Sequence, residues 1–159
     1  MTPDEVVRRL EIEALYAEYA HCLDNDRLEE WPDFFTEDCA YRVTSAENFE
    51  AGLPLGIIYA TSRNMLADRV MALRKANIYE PQRYRHLIAN FRIERADEDG
   101  IDLTANFIVV RIMQDGAMSL FAAGRYVDRL ARAGGGWKFA RKDAVLDSRQ
   151  IDTLLAIPI

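Results

Sequence analysis

The stretch "YRHLIANFRIERADEDGIDLTANFIVVRIMQDGAMSLFAAGRYVDRLARAGGGWKFARKDAVLDS", residues 84–148, decides the fold. From Tyr84 onward the hydrophobic pattern alternates with a period of two, the signature of half-buried strands. Four runs emerge, 84–96, 101–114, 117–132 and 137–148, separated by "DEDG", "DG" and "GGG". Those breaks carry the residues that hairpin turns need where the backbone takes positive φ. No helical segment lies between the runs, so the spacing predicts antiparallel neighbours in a meander. Within the last run, alternation places Trp137, Phe139 and Arg141 on one face and Lys138, Ala140 and Lys142 on the other. Gly124, inside the third run, marks a bulge or bend.

Upstream of the meander the period is helical. Thr2-Pro3 followed by Asp4 and Glu5 is a helix start: a cap, a proline in the first turn and acids at the positive end of the dipole. Ile12, Leu15, Tyr16, Tyr19 and Leu23 then give one apolar face, and "DNDR" at 24–27 ends the helix. "LEEWPDFF" reads as a short helix interrupted at Pro32, with Trp31, Phe34 and Phe35 on its buried side. "AYRVTS" is a first strand, residues 46–56 a loop punctuated by Gly52, Pro54 and Gly56, and "IIYAT" a short strand. Ser62 caps a third helix, "RNMLADRVMALRKA", whose apolar face is Met65, Leu66, Val70 and Leu73. "NIYEPQR" leads out of it as an ordered loop. Helices first and a long meander after give a single α+β domain over residues 1–159, its antiparallel sheet curling around the N-terminal helices.

Composition narrows the function. Half of the 159 residues are hydrophobic, which suits a domain with a real core. The net charge of −6 excludes a nucleic-acid partner, because phosphate binding needs a basic face. The N-terminus holds no apolar run of signal-peptide length, and nothing approaches a membrane span, so the expected location is the cytoplasm. Cys22 and Cys39 read as buried packing groups. With only two histidines and two cysteines, and no C-x-x-C or H-x-x-x-H spacing, the chain offers no paired motif for a Rieske cluster or a zinc site.

Three groups of residues carry candidate chemistry. Asp24, Asp38, Tyr41 and His86 suit acid–base work if a curled sheet encloses them: a His–Asp pair as general base, a tyrosine as donor. The same residues also suit structural duties, since Asp24 and Asp38 lie in turns where aspartate satisfies backbone donors and His86 opens a strand. Arg63, Arg69, Arg74, Lys75, Tyr79, Arg83, Tyr84 and Arg85 form an arginine-and-aromatic string. Such residues dominate protein–protein hot spots, and they equally make a solvated helix face with intrahelical pairs. The tail "RQIDTLLAIPI" has no charge after Asp152, so it is expected to dock on its own sheet or on a partner.

"YAHCLDNDRLEEWPDFFTEDCAYRV" resembles the opening segment of the cystatin-like cone fold of nuclear-transport-factor-2-like proteins. "GLPLGIIYATSRNMLADRVMALRKANIYEPQRYRHLIANFRI" is more specific: it resembles the small (beta) subunit of bacterial aromatic-ring-hydroxylating dioxygenases. Within that family the likeness is to the branch acting on aromatic carboxylates, such as the terephthalate dioxygenase and salicylate hydroxylase small subunits, and "DSRQIDTLLAIPI" fits the same branch. The resemblance spans essentially the whole chain. It implies a non-catalytic, structural subunit of an oxidoreductase, without metal or cofactor of its own and with no catalytic residue. Its partner would be a large (alpha) subunit carrying a Rieske [2Fe-2S] cluster and mononuclear Fe(II), fed with electrons from NADH through a reductase. Three large and three small subunits would assemble, the small ones touching as a homotrimer. The resemblance moves Arg69, Arg74, Tyr79, Arg83 and Tyr84 toward a subunit interface and makes His86 a positioned structural histidine. The competing expectation is a free-standing dehydratase or isomerase of the same fold, in which Asp24, Tyr41 and His86 converge on one pocket.

Overall fold

The computed structural model describes residues 1–76, 79–148, 155 and 157–159. Helix α1 (Pro3–Asp24) opens with a complete capping box: the Thr2 hydroxyl accepts from the Glu5 amide, and the Glu5 carboxylate accepts from the Thr2 amide at 2.7 Å. Its buried stripe is Ile12, Tyr16, Tyr19, Cys22 and Leu23. A 3-10 turn follows (Leu28–Phe34), then β1 (Phe35–Ser45), α2 (Ala46–Glu50), β2 (Ile58–Ala60) and α3 (Arg63–Lys75). Ser62 caps α3 as expected, and Leu66, Val70 and Leu73 are buried. Met65 instead lies exposed and accepts at sulfur from Thr61. Helix α2 replaces the start of the expected 46–56 loop; its signal was Ser45, whose hydroxyl accepts from the Asn48 amide.

The meander stands as expected: β3 (Gln82–Asp97), β4 (Gly100–Met113), β5 (Met118–Ala133) and β6 (Gly136–Leu146), all antiparallel in sequence order. Gly134 and Gly135 both take positive φ in the last hairpin, as a two-residue type I′ turn demands. The full sheet runs β2-β1-β6-β5-β4-β3, and it is mixed, because β1 lies parallel to β6. That pairing brings Arg42 opposite Asp143 and joins β1 and β2 to the meander.

Two details of the register differ from the alternation. Arg129 pairs with Arg141 but Leu130 pairs with Phe139, so Ala140 is an extra residue, a bulge. One inserted residue reverses every side chain beyond it. Lys142 therefore turns into the core beside Phe139, while Arg141 faces solvent, the reverse of the expected placement. Gly124 is no bulge; it pairs in register with Phe107 and Leu146. The glycine is there for close approach, since a Cβ would collide with the Val145 carbonyl oxygen.

The core fills the hollow of the sheet with rings. Tyr16 and Tyr19 of α1 meet Tyr126 of β5 and Phe139 of β6, and Trp31, Phe35 and Tyr41 form a second cluster of edge-to-face contacts. Of the apolar tail, Leu155, Ile157, Pro158 and Ile159 are buried on the chain's own body. Leu154 lies outside the described residues.

Candidate functional site

Asp24 and His86 come together although 62 positions separate them. β3 is an edge strand, so half of its backbone amides face away from β4 with no sheet partner. Asp24, the last residue of α1, meets one of them: the His86 amide donates to both carboxylate oxygens, at 3.0 and 3.2 Å. The same carboxylate lies 2.7 Å from His86 Nδ1. An ionised carboxylate only accepts, so Nδ1 carries the hydrogen, and in the neutral ring Nε2 is the acceptor. The His86 side chain is fully buried and Nε2 has no hydrogen-bond partner among the described residues. His86 and Asp24 both line a groove of about 650 Å³ between α1 and β3, with Tyr16, Ala17, Ala20, Asn90 and Phe91. A second groove of about 540 Å³ borders Asp24 from the other side, against Tyr79, Arg83 and Tyr84.

Tyr41 is not part of that arrangement. Its hydroxyl donates to the Ile159 main-chain oxygen at 2.9 Å, which also accepts from Tyr19 at 3.1 Å. Tyr19 in turn accepts from the Trp31 indole at 3.2 Å. Burial pushes the Tyr41 phenol well above its ordinary value, and Tyr41 borders neither groove at Asp24. The residue fastens the tail. Tyr41→Phe is expected to cost about 1 kcal/mol, the net worth of a buried hydrogen bond, read as a lower urea midpoint at unchanged slope. Asp38 is exposed on β1.

The arginine string divides. Arg69 donates to the Leu155 main-chain oxygen at 2.9 Å, a second fastening of the tail. Arg74 binds the Asp26 carboxylate, the Asp26 carbonyl and the Glu29 carboxylate within 3.1 Å, tying α3 to the turn after α1. Asp26 holds positive φ in that turn. Because these acids are largely exposed, Arg74→Ala is expected to cost no more than about 1 kcal/mol, less at high salt, by thermal unfolding in two buffers. Tyr84 is buried, its ring 5.1 Å from Phe121. Tyr79 is half-buried and Arg83 exposed at the start of β3.

Sequence reasoning missed the most unusual group in the molecule. Lys142 and Asp128, both with fully buried side chains, pair at 2.9 Å, and the Tyr16 hydroxyl donates to the same Asp128 oxygen at 2.6 Å. The Lys142 ammonium lies 3.4 Å from the Tyr126 ring centre and 4.3 Å from that of Phe139, with Tyr16 and Tyr19 close by. Burial lowers the Lys142 ammonium to about 8 against the attraction of Asp128, and burial raises the Asp128 carboxyl. Only the bulge at Ala140 puts Lys142 there.

Metal ligation is poorly served. Among the described residues no three of His, Cys, Asp and Glu gather into a metal site. His21 is exposed, His86 is held by Asp24, and the Cys22 sulfur donates to the Arg27 carbonyl oxygen, its thiol pushed up to about 11 by burial. These side chains do not fit an iron–sulfur cluster or a mononuclear iron. No described helix is long and apolar enough to cross a membrane.

Helices packed into a curved six-stranded mixed sheet define the cystatin-like cone class. Residues 18–153 match the family described as the ring hydroxylating beta subunit. The chain is 42% identical over 154 residues to the terminal oxygenase component subunit beta 1 of terephthalate 1,2-dioxygenase from a Comamonas species, covering 97% of this chain and 100% of that one. It is 42% identical over 149 residues to the anthranilate 1,2-dioxygenase small subunit of Burkholderia cepacia, covering 94% and 92%. Among solved structures, a beta subunit described as belonging to an aromatic-ring-hydroxylating dioxygenase of Novosphingobium aromaticivorans matches with a TM-score of 0.89 and 41% identity, covering 98% and 99%. The chain belongs to the ring-hydroxylating beta-subunit family, and is thus the small-subunit component of an oxidoreductase.

Proposed function

We propose that this chain is the structural small subunit of a terminal oxygenase that hydroxylates aromatic carboxylates in the cytoplasm. The observation that carries the substrate class is the pair of near-full-length relatives, whose names give terephthalate and anthranilate, both benzene rings bearing a carboxylate. The reading assigns the Rieske [2Fe-2S] cluster and Fe(II) to a large alpha subunit, with electrons from NADH through a reductase. The printed names of the near-full-length relatives, a subunit beta of a terminal oxygenase component and a dioxygenase small subunit, support a separate large subunit. Three large and three small subunits form the complex, the small ones meeting in a homotrimer, a closed heterologous ring.

Docking on the large subunit uses the exposed start of β3, with Arg83 and Tyr79 in contact. Arg69, Arg74 and Tyr84, largely committed within the chain, support that surface from behind. A planar guanidinium paired across a boundary is worth about 2 kcal/mol or more, whereas a solvated one is worth almost nothing. Arg83→Ala should therefore weaken co-purification with the large subunit at unchanged thermal stability. The test of function is co-expression with a Rieske-type large subunit, then oxygen uptake with NADH and reductase. Uptake with benzoate-type acids and little with an uncharged ring such as naphthalene supports the reading; the reverse preference overturns the substrate class, and a large subunit fully active without this chain overturns the partnership.

A further inference from the structure

Toward the edge of the sheet opposite β3, the chain between α2 and β2 lies over β1 and borders a pocket of about 410 Å³. Three bonds fix that segment. Arg42 Nη1 donates to the Leu53 carbonyl at 3.1 Å, the Thr44 hydroxyl to that of Leu55 at 2.8 Å, and the Ile57 amide to that of Val43 at 2.7 Å. Gly56 permits the close approach, since a Cβ there would stand 2.9 Å from Arg42 Cγ. Phe49, Leu53, Pro54 and Tyr59 wall the pocket, with Leu53 and Tyr59 both exposed. Its charged lining is Arg42, Arg141 and Asp143; Glu47 and Glu50 of α2 take no part in it. The two arginines share the one carboxylate: Arg42 Nε donates to one Asp143 oxygen at 2.9 Å and Arg141 Nε to the other at 2.8 Å. One positive charge is left over, and it is permanent, because a guanidinium keeps its proton in proteins. The Arg42 side chain is only 9% exposed, yet its Nη2 has no acceptor among the described residues and is not closed off from solvent. Arg141, 55% exposed, likewise has both terminal nitrogens free. Unspent donors on a net cationic lining ask for an anion.

We propose that this pocket binds a small organic acid, its carboxylate on the free nitrogens of Arg42 and Arg141 and its apolar body against Leu53 and Tyr59. The guanidinium fork matches a carboxylate in geometry as well as in charge. The volume lies within the range of roughly 300–1,000 Å³ that small-molecule sites occupy. The walls are held before the ligand arrives, so binding orders little. A partner's acidic side chain would answer the same charge, but a concave site with a nearly buried arginine in its lining favours a free molecule. The inference concerns this chain alone, and it holds or fails whatever large subunit or substrate the complex uses.

Amide NMR titration of the full chain tests it, with benzoate as the probe. Acetate keeps the carboxylate without the body, and benzamide keeps the ring without the charge. Benzoate should shift the Phe49, Leu53 and Tyr59 amides saturably, and the other two should bind about tenfold more weakly or not at all. Arg141→Gln removes the exposed charge and leaves Arg42 on Asp143, so the fold should persist while the affinity falls about tenfold or more. Tyr59→Ala provides a second variant, from the wall, and should weaken binding with every charge in place. Arg92→Gln, exposed on β3 across the sheet, should leave the titration intact. Acetate or benzamide binding as tightly as benzoate overturns the proposal, as does a benzoate response untouched by both Arg141→Gln and Tyr59→Ala. Absence of any benzoate response overturns it too; if Arg141→Gln then also loosens co-purification with the large subunit, the pocket is a docking site for a partner's acidic side chain instead.

Discussion

Lys142→Met unfolds at markedly lower denaturant than the wild type, with an expected loss of about 3–5 kcal/mol. Methionine matches the stem of lysine in length and apolar character, so packing against the rings changes little. What changes is Asp128, left as a carboxyl with no cation in a site closed to water. The Tyr16 hydroxyl remains as a donor and offsets only part of that cost. Removing both charges tells the origin apart. Lys142→Met with Asp128→Leu should recover most of the loss, because replacing a buried pair by apolar groups is often close to neutral. Urea unfolding of the two single variants and the double variant measures the coupling. A double variant as unstable as Lys142→Met would mean that shape, not charge, makes the site costly to change.

The same pair gives the fold a pH dependence of definite sign. The folded Lys142 ammonium titrates at about 8, whereas the unfolded chain holds its proton to the ordinary 10.5. Between those values the unfolded chain binds more protons, so this group adds stability as the pH rises. Its contribution is complete above the unfolded value and lost as the pH falls through about 8. Asp128 acts oppositely on the acid side: its raised carboxyl favours the fold below the ordinary 3.8, an advantage lost as the pH rises through the folded value. The gap in stability between wild type and Lys142→Met should therefore widen from about pH 7 to about pH 10. A gap that stays constant would show that Lys142 keeps its proton in the fold throughout.

The way this pair arises shows where sequence reading stops. Hairpin turns are local, so "DEDG", "DG" and "GGG" located three strand reversals, and Thr2, Pro3 and Ser62 located two helix starts. Bulges leave no comparable local mark. Alternation placed Lys142 on the face opposite Phe139, and a single extra residue at Ala140 put both on the buried side. Parallel pairing of β1 with β6 was equally hidden, because partners such as Arg42 and Asp143 are 101 positions apart. That pairing creates a second buried ion pair at 2.9 Å, assisted by Arg141. Asp24 and His86 were both singled out from sequence, yet their meeting depends on β3 being an edge strand at the end of a six-strand order. Tyr41 was singled out for the same chemistry, and its hydroxyl is occupied by Ile159, a partner fixed by where the tail docks.

Asp24→Ala tests what the Asp24–His86 pair does. The substitution removes the acceptor of the His86 amide on the open edge of β3 and the partner of Nδ1, so a backbone donor and a ring donor lose their bonds together. Hydrogen bonds to a charged acceptor are each worth about 1.5–3 kcal/mol, and orphaned buried donors add to the loss. A fall of about 3 kcal/mol is expected, with faster amide exchange along the first half of β3, because α1 no longer closes that edge. His86→Ala should lose less, since its main-chain amide still donates to Asp24. If the pair is structural, both variants lower the fraction of assembled oxygenase and leave the hydroxylation rate per assembled complex unchanged. Active-site chemistry predicts otherwise: a thousandfold fall in that rate with assembly, iron content and Rieske signal intact. Normal turnover in assembled His86→Ala, beside a lowered melting temperature, would place the pair in the architecture of the cone and leave the ring chemistry to the partner chain.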